Sequence, residues 1–335
     1  MFRATNTREL ISLDILGHRL NGTYHRPPED RSASWTGGTR AGSTAILFLN
    51  SLALPRAATG DSAVYWADSF ARRGYPAFRF DLPGLGDSDG QASTDLLDFI
   101  NRGGFAPAAV DIAKELVERG GYSGVVMVGH CAGAVTAIYA AAAYRKCKGM
   151  ILLDPYFHLP VSKRPKSREK LSDWARRSAV GRPLSNLFDR LKHLRLFLRG
   201  SALPGNANTK LLGKWKELSA PGLPILVFKA PGIKAQGSKP RVGEFDYLEY
   251  VSKLAGRKSD LVMRSIEAAD HSFANRAGRE AVREEAEGWL ASHFPLTNSE
   301  AYAKAKSLPG TGNKLSGSTK ARVTPPNPDC ALEGR

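Results

Sequence analysis

The sequence predicts an α/β fold, in which a mostly parallel, doubly wound sheet carries helices on both faces. Three observations predict it. Continuous apolar runs at residues 44–49 and 124–128 are what strands covered on both faces require. Segments of helical periodicity alternate with such runs, and that alternation implies parallel crossovers. The 335 residues are 42% hydrophobic and 24% charged, the composition of a folded globular chain long enough to bury a sizeable core.

The elements follow in order. Residues 9–16 alternate in apolar character and stop at Gly17-His18, and a second alternating run passes through Leu20 and Tyr24 to Pro27, giving an antiparallel hairpin. After a Gly-rich break at 37–42 come a buried strand at 44–49, a helix at 61–73 and a strand at 75–80. Residues 108–119 have helical spacing, with Val110, Ile112, Ala113 and Leu116 on one side. A strand at 124–128, an Ala-rich helix at 131–145 and a strand at 150–153 follow. The chain closes with a strand at 224–228, a helix at 247–254, a strand at 261–266 and a helix at 279–293. We divide it into a first part of the core at 1–157, an inserted, mainly helical cap at 158–219 and a second part of the core at 220–296. Residues 297–335, rich in Ser, Gly, Lys and Pro, have little to bury and read as a disordered tail.

The net charge of +16 is not spread evenly. Residues 161–217 hold 15 Lys or Arg against 4 Asp or Glu, about two thirds of the whole excess. Their apolar side includes Leu184, Leu187, Phe188, Leu191 and Phe197. Such a segment suits an anionic small-molecule or carrier-linked partner through its local field. A nucleic-acid module is disfavoured, because the aromatics there, Trp174 and Trp215, are few and separated. The longest apolar helix, 132–144, is too short to span a membrane. The N-terminus lacks a secretory leader, and Cys131, Cys147 and Cys330 form no disulfide framework, so a reducing cytoplasm is expected. No phosphate-cradling or dinucleotide-binding glycine motif occurs, and no zinc-type Cys/His spacing, so neither cofactor nor metal is expected.

The most informative five residues are Gly129-His130-Cys131-Ala132-Gly133, placed where a buried strand ends and the Ala-rich helix begins. A sharp turn there lifts its central side chain above the sheet. Only small residues fit two places to either side, as Gly129 and Gly133 do. The helix N-terminus would favour a thiolate at Cys131. The plain alternative is a chance match around an inert core thiol.

A second motif, Asp81-Leu82-Pro83-Gly84-Leu85-Gly86-Asp87-Ser88, follows the strand ending at Phe80. With this loop, the hairpin, the strand order and the elbow, the chain resembles the α/β-hydrolase superfamily over about residues 9–295. The resemblance implies a nucleophile at Cys131 and a general base at His271, in the chain order of nucleophile, acid and histidine. It makes His130 an orienting residue. The acid would follow the strand at 224–228, yet the next fifteen residues contain no Asp. Glu244 is the first choice and Asp246 the second. Asp154, after the preceding strand, is the third, because some relatives take their acid from there. A dyad of Cys131 and His271 is also open, since a thiol with an ordinary pKa of ~8.5 needs less help than a hydroxyl. The oxyanion hole would use backbone N–H groups of Ala132 and of Leu52 or Ser51. Asn50-Ser51 stands where the family often has His-Gly.

Cysteine replaces the serine most relatives carry, as in dienelactone hydrolases and polyhydroxyalkanoate synthases, whose elbows this one resembles. The implied activity is ester or thioester hydrolysis, or acyl transfer, through an acyl-cysteine. The alternative is a binding protein with the same fold and no turnover.

Overall fold

The opening hairpin forms where alternation predicts it. Strands β1 (Arg8–Ile15) and β2 (His18–His25) pair antiparallel, Ile15 against His18, across a turn in which Leu16 and Gly17 take positive φ. Ile11, Leu13 and Ile15 point into the core while Ser12 and Asp14 between them, and Leu10 before them, are exposed, as a strand with one wet face demands. The computed structural model describes residues 7–28, 35–36, 40–160, 203–220, 222–231, 245–256 and 259–296. The expected helical stretch at 184–198, Glu244 and residues 297–335 lie outside these.

Six further strands complete the sheet: β3 (Arg40–Leu49), β4 (Ala77–Phe80), β5 (Tyr122–His130), β6 (Cys147–Leu153), β7 (Ile225–Lys229) and β8 (Leu261–Ser265). Their order across the sheet is β1-β2-β4-β3-β5-β6-β7-β8. The hairpin joins β4 antiparallel, and every pairing from β4 to β8 is parallel. Alternate residues of one strand enter different cores. Ala45, Leu47 and Leu49 of β3 join one, and Ile46 and Phe48 join the other. That is why these strands read as continuous apolar runs.

Helices α1 (Ser62–Arg72) and α7 (Arg276–His293) cover the second face, with Trp66, Phe70, Trp289 and Leu290 buried against it. The first face carries α2 (Leu96–Asn101), α3 (Ala106–Glu118), α4 (Ala132–Ala143), α5 (Thr209–Ser219) and α6 (Tyr247–Ala255). Helix α4 is buried on all sides from Ala132 to Ala141, and its run of alanines lets the sheet and α3 approach closely. The expected helix at 131–145 is thereby seen, and α2 is an element the sequence reading lacks.

Residues 209–219, which the division above gives to the cap, form α5, and its Leu211, Leu212 and Trp215 belong to the same core as α4. Trp215 is fully buried and donates through Nε1 to the Val251 carbonyl of α6 at 3.0 Å. The lysines on the outer side of this helix hid an ordinary core-facing stripe, Leu211, Leu212 and Trp215, at helical spacing. Among the described residues no helix is long and apolar enough to cross a membrane.

Candidate active site

The carboxyl ends of the parallel strands share one edge of the sheet, and the loops that leave them converge there, the usual place for a site in such a sheet. At the end of β5, Cys131 takes φ 51° and ψ −111°, a strained conformation for a residue with a Cβ. Its N–H donates to the Leu153 carbonyl at 2.8 Å, which holds the turn against β6. The flanking glycines are sterically required. A Cβ on Gly129 would meet the Gly133 carbonyl at 2.4 Å, and one on Gly133 would meet the Leu49 and Asn50 carbonyls at 2.7 Å. Ala132 opens α4, so its N–H has no partner within the helix and is free for an oxyanion.

His271 stands in the loop after β8. Its Nδ1–H donates to Asp154 Oδ2 at 2.9 Å. Its pKa is raised to about 10, first by the hydrogen bond to Asp154 and next by that to Cys131. Asp154 is itself well held. Its N–H donates to the Phe228 carbonyl at 2.9 Å and its Oδ1 accepts from the Ala230 N–H at 2.9 Å, so the end of β7 fixes both its backbone and its carboxylate. A φ of 42° turns it out of β6.

The carboxylate brought to His271 is thus the third choice of the sequence reading. Asp246 is occupied elsewhere: it caps α6 by accepting from the N–H groups of Leu248 and Glu249 at 2.9 and 3.0 Å, and it pairs with Lys229 at 2.9 Å. Helix capping, a local role any Asp before a helix can fill, accounts for it. Glu244 lies outside the described residues.

His130 is a different histidine from its neighbour. Burial, and then the charge of His271, push its pKa down to about 4. Its Nε2–H donates to the His271 carbonyl at 2.6 Å, and its ring meets Phe273 edge-on at 6.0 Å. A neutral ring at the elbow therefore ties down the loop that carries His271.

The loop after β3 holds Ser51, which is buried, and Leu52, which is exposed with φ 50°. Its shape is set by fully buried Asp81, the first residue of the Gly-rich motif. Asp81 Oδ1 accepts from Asn50 Nδ2 at 3.0 Å and from the Arg56 N–H at 2.6 Å, and Oδ2 pairs with the Arg56 guanidinium. Asn50 Oδ1 in turn accepts from the Leu82 N–H at 2.9 Å. Asn50 and Arg56 are contributors the sequence reading missed. The one available signal was Asn50 in place of the family's histidine. A cavity of ≈30 Å³ behind the elbow, lined in part by Ser51, Arg56 and His130, has room for about one water and none for a substrate. Among the described residues no group of three His, Cys, Asp or Glu is placed to hold a metal.

Fold and site together define a class: an α/β protein with a strand–turn–helix elbow and a histidine–carboxylate pair facing it. Residues 44–224, more than half of the chain, match the family described as alpha/beta hydrolase fold, and the chain belongs to that family of hydrolase enzymes. Among solved structures it is similar to an esterase of Pyrococcus furiosus at 12% identity and a TM-score of 0.53, covering 86% of this chain and 91% of that one. An α/β hydrolase, GrgF, of Penicillium sp. sh18 matches at 14% identity and 0.53, covering 86% and 99%. A serine hydrolase without a lid from Xanthomonas campestris matches at 14% and 0.50, covering 87% and 97%. These likenesses are of fold. No curated protein matches the chain in sequence.

Proposed function

We propose that this chain hydrolyses an ester or thioester through an acyl-enzyme on Cys131, with His271 as the proton carrier and Asp154 as the acid of the triad. The observation that carries the reading is the hydrogen bond from His271 to Asp154, with Cys131 next among the groups that raise the proton affinity of His271. With His271 favouring its proton, the pair works as thiolate and imidazolium. Cys131 Sγ attacks the acyl carbonyl and the C=O electrons move onto oxygen, met by the backbone N–H of Ala132 and one from Ser51 or Leu52. Collapse breaks the bond to the leaving oxygen or sulfur, which takes the proton from His271. Water then gives a proton to neutral His271 as its oxygen bonds to the acyl carbon. The acid leaves and the thiolate–imidazolium pair returns. Asp154 keeps the imidazole in the tautomer whose Nε2 faces sulfur.

An acyl-cysteine is itself a thioester, close in energy to a carrier-linked acyl donor, so transfer to an alcohol or amine is a second use of the same intermediate. The basic segment at 161–217 supports an anionic or carrier-linked donor. The test is intact-protein mass after mixing with aryl esters and acyl thioesters. The expected result is an acyl adduct on Cys131 that decays to free acid, or to acceptor product when an amine is added. A protein that binds acyl ligands but neither forms an adduct nor turns them over is instead a binding protein of this fold.

A further inference from the structure

Two residues after Asp154 the chain carries a tyrosine that the proposed chemistry does not use. Tyr156 lies three residues beyond Leu153, whose carbonyl holds the Cys131 N–H, and Cys131 acts on its phenol electrostatically. Its hydroxyl is shut away from solvent and has no hydrogen-bonding partner among the described residues. The hydroxyl of Tyr247, at the start of α6, is in the same condition. The two phenols share a neighbour: the His158 ring lies 5.5 Å from that of Tyr156 and 5.7 Å from that of Tyr247. Phe245 and Tyr250 extend the aromatic wall, with Phe245 4.8 Å from Tyr247 and 5.4 Å from Tyr250. Burial raises the proton affinity of both phenols, and at Tyr156 the charge of Cys131 raises it further, so both stay protonated and donate.

Leaving a buried O–H unpaired costs about 1–3 kcal/mol, and a fold rarely does so twice in one cluster without a partner to come. The missing partner is an acceptor. Both donors are neutral and aromatic rings wall them in, which suits an uncharged oxygen on an otherwise apolar group better than a carboxylate or phosphate. We propose that Tyr156 and Tyr247 form a subsite for an acyl chain bearing a keto or ether oxygen beyond its scissile carbonyl. The inference rests on the proposed acyl chemistry for its setting, and it deepens it by naming the substrate class.

The test compares p-nitrophenyl pentanoate with p-nitrophenyl 4-oxopentanoate, which share chain length and leaving group and differ by one keto oxygen. The expected result is a preference for the oxo ester that falls roughly five- to tenfold in Tyr156→Phe and Tyr247→Phe, with the plain ester unchanged. Equal losses on both esters, or no preference in the unaltered protein, would mean that the phenols serve the fold or hold only water, and would overturn the subsite. A second arm measures binding of 4-oxopentanamide and pentanamide to Cys131→Ala by ligand-observed NMR. A tyrosine-dependent preference there, with no ester turned over by the unaltered protein, sinks the catalytic reading and keeps the subsite. Tyrosine-independent binding sinks the subsite alone.

Discussion

Cys131 and Cys147 are the same residue type at opposite ends of two neighbouring parallel strands, one just past the carboxyl end of β5 and the other at the start of β6. Cys147 begins β6 opposite Val125, fully enclosed, its thiol donating to the Gly149 carbonyl at 3.4 Å. Burial pushes its pKa up to about 12. Cys131 follows β5 at the other end, partly exposed, on a strained turn at the head of α4, and it raises the proton affinity of a histidine that holds a carboxylate. At the carboxyl ends of the strands Asp81, Arg56, Asp154 and His271 meet the backbone. On the proposed function, reactivity here is a matter of place in the sheet and not of residue type.

The contrast breaks most visibly if Cys131 is removed. Cys131→Ala should lower kcat/KM for an activated ester at least about a thousandfold, roughly 4 kcal/mol of transition-state stabilisation. Brief iodoacetamide treatment, followed by peptide mapping, should label Cys131 and spare Cys147. Unchanged turnover in a fully Cys131-labelled sample would end the thiol mechanism.

Asp154→Asn sharpens the contrast by leaving the thiol in place and removing what orients and charges its histidine. A loss of about a hundredfold to a thousandfold in kcat is expected. The same change should move the alkaline limb of the pH–rate profile from near pH 10 down toward the ordinary histidine value of ~6.5. A profile that does not move would remove Asp154 from the triad and return the acid to Glu244 or to a dyad. Because the folded pKa of His271 is raised, its contribution to stability is complete below ~6.5 and is lost as pH rises through about 10. The ring is 55% exposed, so solvent screens that contribution to a small one.

Arg56→Met tests the polar end of the sheet as structure. It leaves fully buried Asp81 with Asn50 and backbone donors alone, and should destabilise the chain by about 3 kcal/mol in urea unfolding. A loss below 1 kcal/mol would show that the pair does not lock the β3 loop. The smallest effect belongs to the enclosed thiol: Cys147→Ala should cost about 1 kcal/mol of stability and leave kcat/KM unaltered. A tenfold fall in activity there would refute the division between the two ends.

How much of this was legible depends on how local each feature is. The elbow could be read because its demands fall within five residues. Glycine is needed at 129 and 133 for clearance measured in tenths of an ångström, and the sequence supplies it. His271 was legible from its place after the last strand. The hairpin and the buried strands were legible because side-chain period follows burial directly. Helix α2 escaped because six residues carry too little periodicity, and α5 was given to the cap because charge was read ahead of spacing.

The sequence by itself therefore determined the fold class and the strained turn at Cys131, and it named the histidine at 271 that we propose as the partner of that turn. Only the tertiary structure decided which carboxylate meets the histidine. Asp246 and Asp154 are both plausible in a string of letters. The parallel register of β6 on β7 puts the Ala230 N–H and the Phe228 carbonyl against Asp154, while the start of α6 consumes Asp246 as a cap. A hydrogen bond between residues 117 positions apart is set by how strands stack, and no local pattern encodes it.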